Sequence, residues 1–254
     1  MQPISQKCRA TLLCEPQYGT IKILWQKYFM SWLQSRVVLR SDTIDSVAER
    51  AADFIKKGYA VVFPTDTIYG LGVNALDESA VERFFALKKR PATKPVPVFV
   101  KDNAMANDIA FIDSRQEEIL RSFLPGPFTF ILRARNIVPS RLCAGTGTIG
   151  LRIPNHPFCA SLLGLLDVPI TASSANISGL DATTNVDEIV QQFKEHSTVP
   201  EYIVDAGELQ SVVPSTVIDI TKEKARIVRM SPTTPDMIQK ITSLLGELGD
   251  VEAR

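Results

Sequence analysis

Two apolar rhythms alternate along this chain, and their alternation restricts its fold more than any other feature. Ile44, Val47, Ala48, Ala51 and Ile55 recur at helical spacing. They predict a helix over residues 42–57, capped by Asp42, with Asp45 in its first turn and Gly58 as its stop. Residues 59–63 then run apolar without alternation, as a strand buried on both faces does, and Pro64 ends the run. The exchange repeats. Asp77 opens a helix with a core face of Ala80, Val81, Phe84, Phe85 and Leu87. A strand follows over 96–100, where Pro97 implies a sheet edge or a strand start. Further helices are predicted over 115–123, 157–166, 186–193 and 236–245. Further strands are predicted over 128–132, 149–153, 168–171, 202–204, 213–220 and 225–228, and 36–40 reads as a short strand or a link. Roughly eight strands mixed with helices define an α/β fold, a single domain with a twisted, mostly mixed open sheet. No period recurs, so repeat architectures are excluded.

Composition limits the function classes. The 254 residues carry 28 basic and 28 acidic side chains, so a dedicated nucleic-acid coat is excluded and only a local basic groove remains. A 45% hydrophobic content supports a sizeable core. Residues 1–40 read as an N-terminal extension, 41–230 as the main domain and 231–254 as a closing helix and tail. No signal-peptide pattern is visible. The apolar stretch 21–33 contains Trp25, Tyr28, Phe29 and Trp32 among Lys22, Gln26 and Lys27. It is too short and polar to span a bilayer and predicts an amphipathic helix packed on the body or on another subunit. Cys8, Cys14, Cys143 and Cys159 form no metal-type pair, and His156 and His196 do not complete one. Reduced thiols and a cytoplasmic location are expected.

Four polar segments could carry chemistry. The first, PTDTIYGLG (64–72), leaves a buried strand, where open α/β sheets place ligands. Taken alone, it is equally a hydrogen-bonded turn with glycines at positive φ. The second is the only dense basic cluster, Lys88, Lys89, Arg90 and Lys94 in LKKRPATKP. Its partner is a nucleotide phosphate, a nucleic-acid backbone or solvent. Pro91 and Pro95 restrict the backbone where solvated lysines would need no restraint, and Arg90 can grip an oxyanion with a planar fork. The third, TASSANISG (171–179), offers small side chains and hydroxyls, or is a capping turn. The fourth, PSTVID (214–219), brings Ser215 and Thr216 to a strand entry. Arg152 ends a strand beside His156, which reads as a structural hydrogen-bonder. No P-loop, G-x-G-x-x-G, G-x-S-x-G elbow, supported cysteine nucleophile or carboxylate dyad is present.

In this order the segments resemble the YrdC/Sua5 family of threonylcarbamoyl-adenylate synthases. The matching blocks are FPTDTIYGLG (63–72), LKKRPATKPVPVFV (87–100), LPGPFTFIL (124–132), TIGLRIPNHP (148–157), TASSANISG (171–179) and PSTVID (214–219). The resemblance covers residues 42–230 and implies a single YrdC-like domain around a concave cavity, a short form without the C-terminal Sua5 domain. It implies a nucleotidyltransferase that makes L-threonylcarbamoyladenylate and pyrophosphate from L-threonine, bicarbonate or CO2, and ATP, with Mg2+. A separate complex then passes the group to adenosine 37 of ANN-decoding tRNA. Carried onto this sequence, Lys88, Arg90 and Lys94 become the catalytic anion-binding set. Thr65, Thr67, Tyr69 and Arg152 become substrate-binding residues. Ser174, Asn176, Ser178, Ser215, Thr216 and Arg229 become nucleotide-binding residues. No metal ligand is assigned. Two positions depart from the family pattern: Lys89 replaces a common glycine, and Phe99 stands where many long members have histidine. The alternatives are a double-stranded RNA or tRNA binder of the same fold, and a related carbamoyl-adenylate enzyme.

Overall fold

The structure, a computed structural model, describes residues 35–210, 213–231, 239 and 243. The chain begins with β1 (Arg36–Val38), α1 (Ile44–Lys56), β2 (Val61–Phe63), β3 (Gly70–Gly72) and α2 (Glu78–Lys88). It continues through β4 (Val98–Phe99), α3 (Asn103–Ile109), β5 (Ala110–Phe111), α4 (Ser114–Phe123) and β6 (Phe128–Ala134). Next come α5 (Ser140–Cys143), β7 (Thr148–Arg152), α6 (Pro157–Gly164), β8 (Ile170–Thr171) and β9 (Ser173–Ser174). It then runs through α7 (Val186–Glu195), β10 (Tyr202–Asp205), β11 (Thr216–Asp219) and β12 (Arg226–Arg229). The predicted N-terminal amphipathic helix lies outside the described residues. So does most of the predicted closing helix, of which Gln239 and Ser243 are helical.

The strands are open and mixed as expected, but they divide into two sheets. One has the order β1-β10-β2-β3-β9; the other has the order β12-β11-β6-β7-β4-β8, with β5 on β6. Parallel pairs (β1 with β10, β10 with β2, β11 with β6, β4 with β7) are combined with antiparallel ones. Among the described residues twelve strands replace the expected eight, because several contain only two or three residues. So short a strand has no room for a visible period.

Sequence caps explain most helix starts. Asp77 accepts from the amides of Ser79 and Ala80, and Asp113 forms a reciprocal capping box with Gln116. His156 Nδ1 accepts from the Phe158 amide, and Pro157 occupies the first turn of α6, where its missing N–H is harmless. Asp42 does not cap α1. The N-cap position is Thr43, whose hydroxyl is instead exchanged with Arg40, accepting from its amide and donating to its carbonyl. The short helix α3 was not predicted; Asp102 caps it by accepting from the Met105 amide.

Alanine-rich α1 buries Val47, Ala48, Ala51, Ala52 and Ile55 in a core shared with Phe158, Cys159, Leu162 and Leu163 of α6 and with Phe63, Tyr202 and Val204 from the first sheet. Small residues let the elements approach closely. The Phe63 ring links the layers, 6.2 Å from Phe99 and 6.4 Å from Phe158 between centroids. On the second sheet, Phe123 of α4 covers Phe128 at 4.9 Å and Phe130 at 5.8 Å. Cys143 and Cys159 are free and buried. Among the described residues no helix is long and apolar enough to cross a membrane.

Phe63 also explains two glycines. Gly70 and Gly72 form β3 rather than a positive-φ turn, and a Cβ at Gly72 would lie 2.8 Å from Phe63 Cε1. Gly72→Ala should therefore overpack the core and destabilise the chain by about 1–3 kcal/mol, measured by urea unfolding. An unchanged midpoint would show that the Phe63 ring yields freely.

Candidate functional site

A cavity of about 360 Å³ opens between the two sheets. Its volume lies in the range of small-molecule sites. The first sheet and its loop contribute Thr65, Thr67, Tyr69, Gly70, Ser173 and Ser174; the second contributes Phe99, Thr129, Gly150, Arg152, Ser215 and Arg229 among others. Arg90 enters from the basic segment. Among the described residues, no carboxylate lines the cavity.

The loop after β2 is both a turn and a wall. Thr65 Oγ1 donates to the Ile68 carbonyl at 2.7 Å, accepts from the Thr67 amide at 3.1 Å and contacts Thr67 Oγ1 at 3.0 Å. Arg152 stands on β7 behind this turn and is buried. Its guanidinium donates to Asp66 Oδ1 at 2.5 Å, Thr67 Oγ1 at 3.2 Å and the Gly126 carbonyl at 2.9 Å. Asp66 thus balances Arg152 and fixes its plane. Tyr69 lines the cavity, but its hydroxyl donates to the Gly207 carbonyl and accepts from the Ala206 amide. Burial pushes that phenol up to about 12.

The basic segment separates into different roles. Arg90 lines the cavity, with its guanidinium donating to the carbonyls of Lys94 and Pro95. Burial lowers its pKa from the ordinary value. The structure does not bring Lys88 or Lys94 into the cavity wall. Lys94 is exposed. Lys88 is 1% exposed, and its ammonium donates to the carbonyls of Ser174 and Asn176 and to Asn176 Oδ1. The Lys88 carbonyl in turn accepts from the Ser178 amide at 2.8 Å. Lys88 therefore fastens the 174–178 loop from behind. Burial first and Arg90 second push its pKa down to about 7.

The nucleotide set is also divided. Ser174, Ser215 and Arg229 line the cavity, whereas Asn176, Ser178 and Thr216 do not. Asn176 is spent within its loop, accepting from Ser174 Oγ and donating to the Leu180 carbonyl. Ser178 Oγ is buried without a partner. Thr216 Oγ1 accepts from the Ser231 amide. Arg229 donates to the Ser215 carbonyl at 2.8 Å and 3.1 Å, and burial followed by Arg152 lowers its pKa. Among the described residues, three guanidinium groups thus face one cavity, and of these only Arg152 is paired with a carboxylate.

The family described as "Telomere recombination" (Sua5, YciO and YrdC) matches residues 53–231. The chain belongs to the Sua5/YciO/YrdC family. Within that family it is 37% identical over 199 residues to the threonylcarbamoyl-AMP synthase of Pyrococcus abyssi, covering 78% of this chain and 57% of that protein. The chain therefore spans little more than half the length of that relative. A Methanocaldococcus jannaschii protein is 33% identical over 201 residues, with 78% of this chain and 93% of that protein covered. The fold resembles the crystal structure of P. abyssi Sua5 complexed with L-threonine, with TM-score 0.75, 35% identity and coverage of 84% and 61% of the two chains. It also resembles Escherichia coli YciO, with TM-score 0.69, 26% identity and coverage of 78% and 95%.

Against the Sua5/YciO/YrdC pattern, the two departures acquire physical meaning. Lys89 occupies a left-handed position at φ 49°, closing α2, so the usual glycine answers a backbone need. Phe99 packs on Phe63 and lies 5.7 Å below the Arg152 guanidinium, an aromatic support where a hydrogen-bonding ring could stand. Sequence reasoning missed Thr129, Thr148, Ser173 and Gly150 as cavity-lining residues. The first two sit in strands whose apolar runs drew attention to the core. Thr129 Oγ1 contacts Ser215 Oγ at 2.8 Å, so even the hydroxyls across the second sheet are coupled.

Two outcomes follow from the basic segment. Lys89→Gly should stabilise the chain by about 1 kcal/mol in urea unfolding, because the left-handed strain of a non-glycine residue is removed. An unchanged or lower midpoint would contradict this. For Lys88, the folded pKa of about 7 lies below the ordinary 10.5, so the unfolded chain holds more protons between those values. Its contribution to stability should be complete above pH 10.5 and be lost as pH falls through about 7. Between pH 7 and 9 the urea midpoint should rise more steeply for the native chain than for Lys88→Met; parallel slopes would refute the assignment.

Proposed function

We propose that this chain is an L-threonylcarbamoyladenylate synthase. The carrying observation is a cavity whose described lining has three arginines and no carboxylate, found in a chain of this family. Arg90 and Arg229 are bonded to backbone carbonyls and Ser215 rather than to acids, so their charge is left for an anion. ATP and a threonine-derived carbamate are such anions. The binding of L-threonine by the P. abyssi relative supports placing the amino acid in this cavity. Thr65, Thr67, Tyr69 and Arg152 would form its side. Ser174, Ser215 and Arg229 would face the nucleotide, with Arg90 between them.

The reaction needs positioning and charge stabilisation more than a protein nucleophile. The threonine amine attacks CO2 and gives a carbamate with release of one proton to solvent, or attacks bicarbonate and gives the same carbamate with release of one water. A carbamate oxygen then attacks the α-phosphorus of ATP. The new P–O bond forms as the bond to the bridging oxygen breaks, and pyrophosphate leaves with that electron pair. Two anions must approach one another throughout. Guanidinium groups in a partly dry cavity oppose that repulsion. The absence of a nucleophile–base pair from the wall fits this chemistry.

Mg2+ fits this wall only as part of the nucleotide. Protein Mg2+ sites use one or two carboxylates beside substrate phosphates, but the described lining of this cavity has none. Among the described residues, no three His, Cys, Asp or Glu side chains converge on a metal position either. The ion would enter as MgATP, held by phosphate oxygens. The product would be consumed by a separate complex that modifies tRNA.

Full-length protein supplied with MgATP, L-threonine and bicarbonate should release pyrophosphate and form the acyl-adenylate, detected by mass. Omitting threonine should abolish the product. Carbamoyl phosphate in its place distinguishes the related carbamoyl-adenylate chemistry. Arg90→Ala should lower kcat/KM by about a hundredfold, the scale of losing one preorganised charge donor. A well-folded preparation that gives no threonine-dependent product would sink the proposal.

A further inference from the structure

We propose that Arg36 is a positioning residue for the cavity, acting through Asp205 and the Ala206–Gly207 turn to set where the Tyr69 ring stands. The connection is continuous. Arg36 Nε and Nη2 both donate to Asp205 Oδ2, at 2.9 Å and 2.7 Å. The other carboxylate oxygen, Oδ1, accepts from the Gly207 amide at 2.9 Å. The next two links are the Tyr69 hydroxyl's bonds, donating to the Gly207 carbonyl at 2.7 Å and accepting from the Ala206 amide at 2.9 Å. Tyr69 then forms part of the cavity wall.

Each link has little freedom. Asp205 is 7% exposed, so its charge requires a partner. Gly207 holds φ 76°, a turn geometry fixed from one side by the carboxylate and from the other by the phenol. Tyr69 is held at both ends, because its carbonyl accepts from the Ala175 amide at 2.8 Å, next to the serine pair of β9. The third arm of the guanidinium donates to Asp187 Oδ1 in the first turn of α7. That carboxylate is 75% exposed, so this arm is screened and contributes little. The buried arm carries the effect. Removing Arg36 leaves Asp205 buried with one amide, and the carboxylate then turns toward water and releases Gly207.

The kinetic part of the test rests on the synthase reading; the spectroscopic part does not. Full-length protein carrying 13Cζ-labelled tyrosine would be compared with Arg36→Gln, Arg36→Lys and Asp187→Asn, with the Tyr69 resonance assigned by Tyr69→Phe. Arg36→Gln should shift that resonance while the other tyrosines stay in place. It should raise the KM for L-threonine about threefold to tenfold, the range of one or two lost hydrogen bonds, with kcat held within about twofold. Arg36→Lys should fall between, since it keeps the charge and loses the fork. Asp187→Asn should leave both readings unchanged. If Arg36→Gln does not fold, the near-isosteric Asp205→Asn should give the same Tyr69 shift. An unmoved Tyr69 resonance, or equal movement of every tyrosine, overturns the proposal. If the native chain shows no turnover, the synthase reading fails, and the Tyr69 resonance still decides the role of Arg36.

Discussion

Thr171 belongs to two sheets at once. Its amide donates to the Val73 carbonyl at 3.0 Å, and its hydroxyl accepts from the Val73 amide and donates to the Leu71 carbonyl. Its own strand, β8, pairs with β4 in the second sheet, and two residues later β9 pairs with β3 in the first. Ala172, between them, donates to the Pro97 carbonyl at 2.7 Å. The side chain is fully buried, so no water replaces these bonds. The residues that follow Thr171, namely Ala172, Ser173 and Ser174, line the cavity. A polar residue at position 171 is tolerated because its amide donates and its hydroxyl both donates and accepts.

The charges around the cavity are organised by burial rather than by sequence proximity. Lys88 and Arg90 are separated by one residue, yet one fastens a loop and the other faces the cavity. The left-handed turn at Lys89 accounts for this, because it reverses the chain at the end of α2. Arg152 is neutralised by Asp66, whereas Arg229 and Arg90 rest on carbonyl dipoles. A carbonyl orients a guanidinium without cancelling its charge. The arrangement thus holds the fork in place and keeps its field available to a ligand.

The architecture was largely legible from the sequence because its signals are local. The Asp77 cap, the Pro157 start and the α1 stripe each depend on neighbours a few residues away. The division into two sheets was not legible. It depends on strands such as β8 and β9, which show no period, and on Phe63 filling the space above two glycines. The segments that build the site were found, but the direction of each side chain was not. Thr65, Thr67, Arg90, Arg152, Ser174, Ser215 and Arg229 reach the wall, while Lys88, Asn176 and Thr216 satisfy backbone groups behind it. A hydroxyl or ammonium has the same letter in either role. Only the fate of nearby carbonyls and amides tells them apart.

Of the basic segment's three lysines left outside the wall, Lys89 and Lys94 are exposed on either side of Arg90. The Lys89 backbone closes α2 and the Lys94 carbonyl accepts from Arg90, while among the described residues neither ammonium is held in an ion pair. Their field extends about a Debye length into solvent, roughly 8 Å at physiological ionic strength. At the cavity wall Arg152 is buried and shielded from salt, whereas Arg90 is half-buried and Arg229 is exposed. Salt therefore acts unevenly on the cations around one cavity: it screens Lys89 and Lys94 most and Arg152 least.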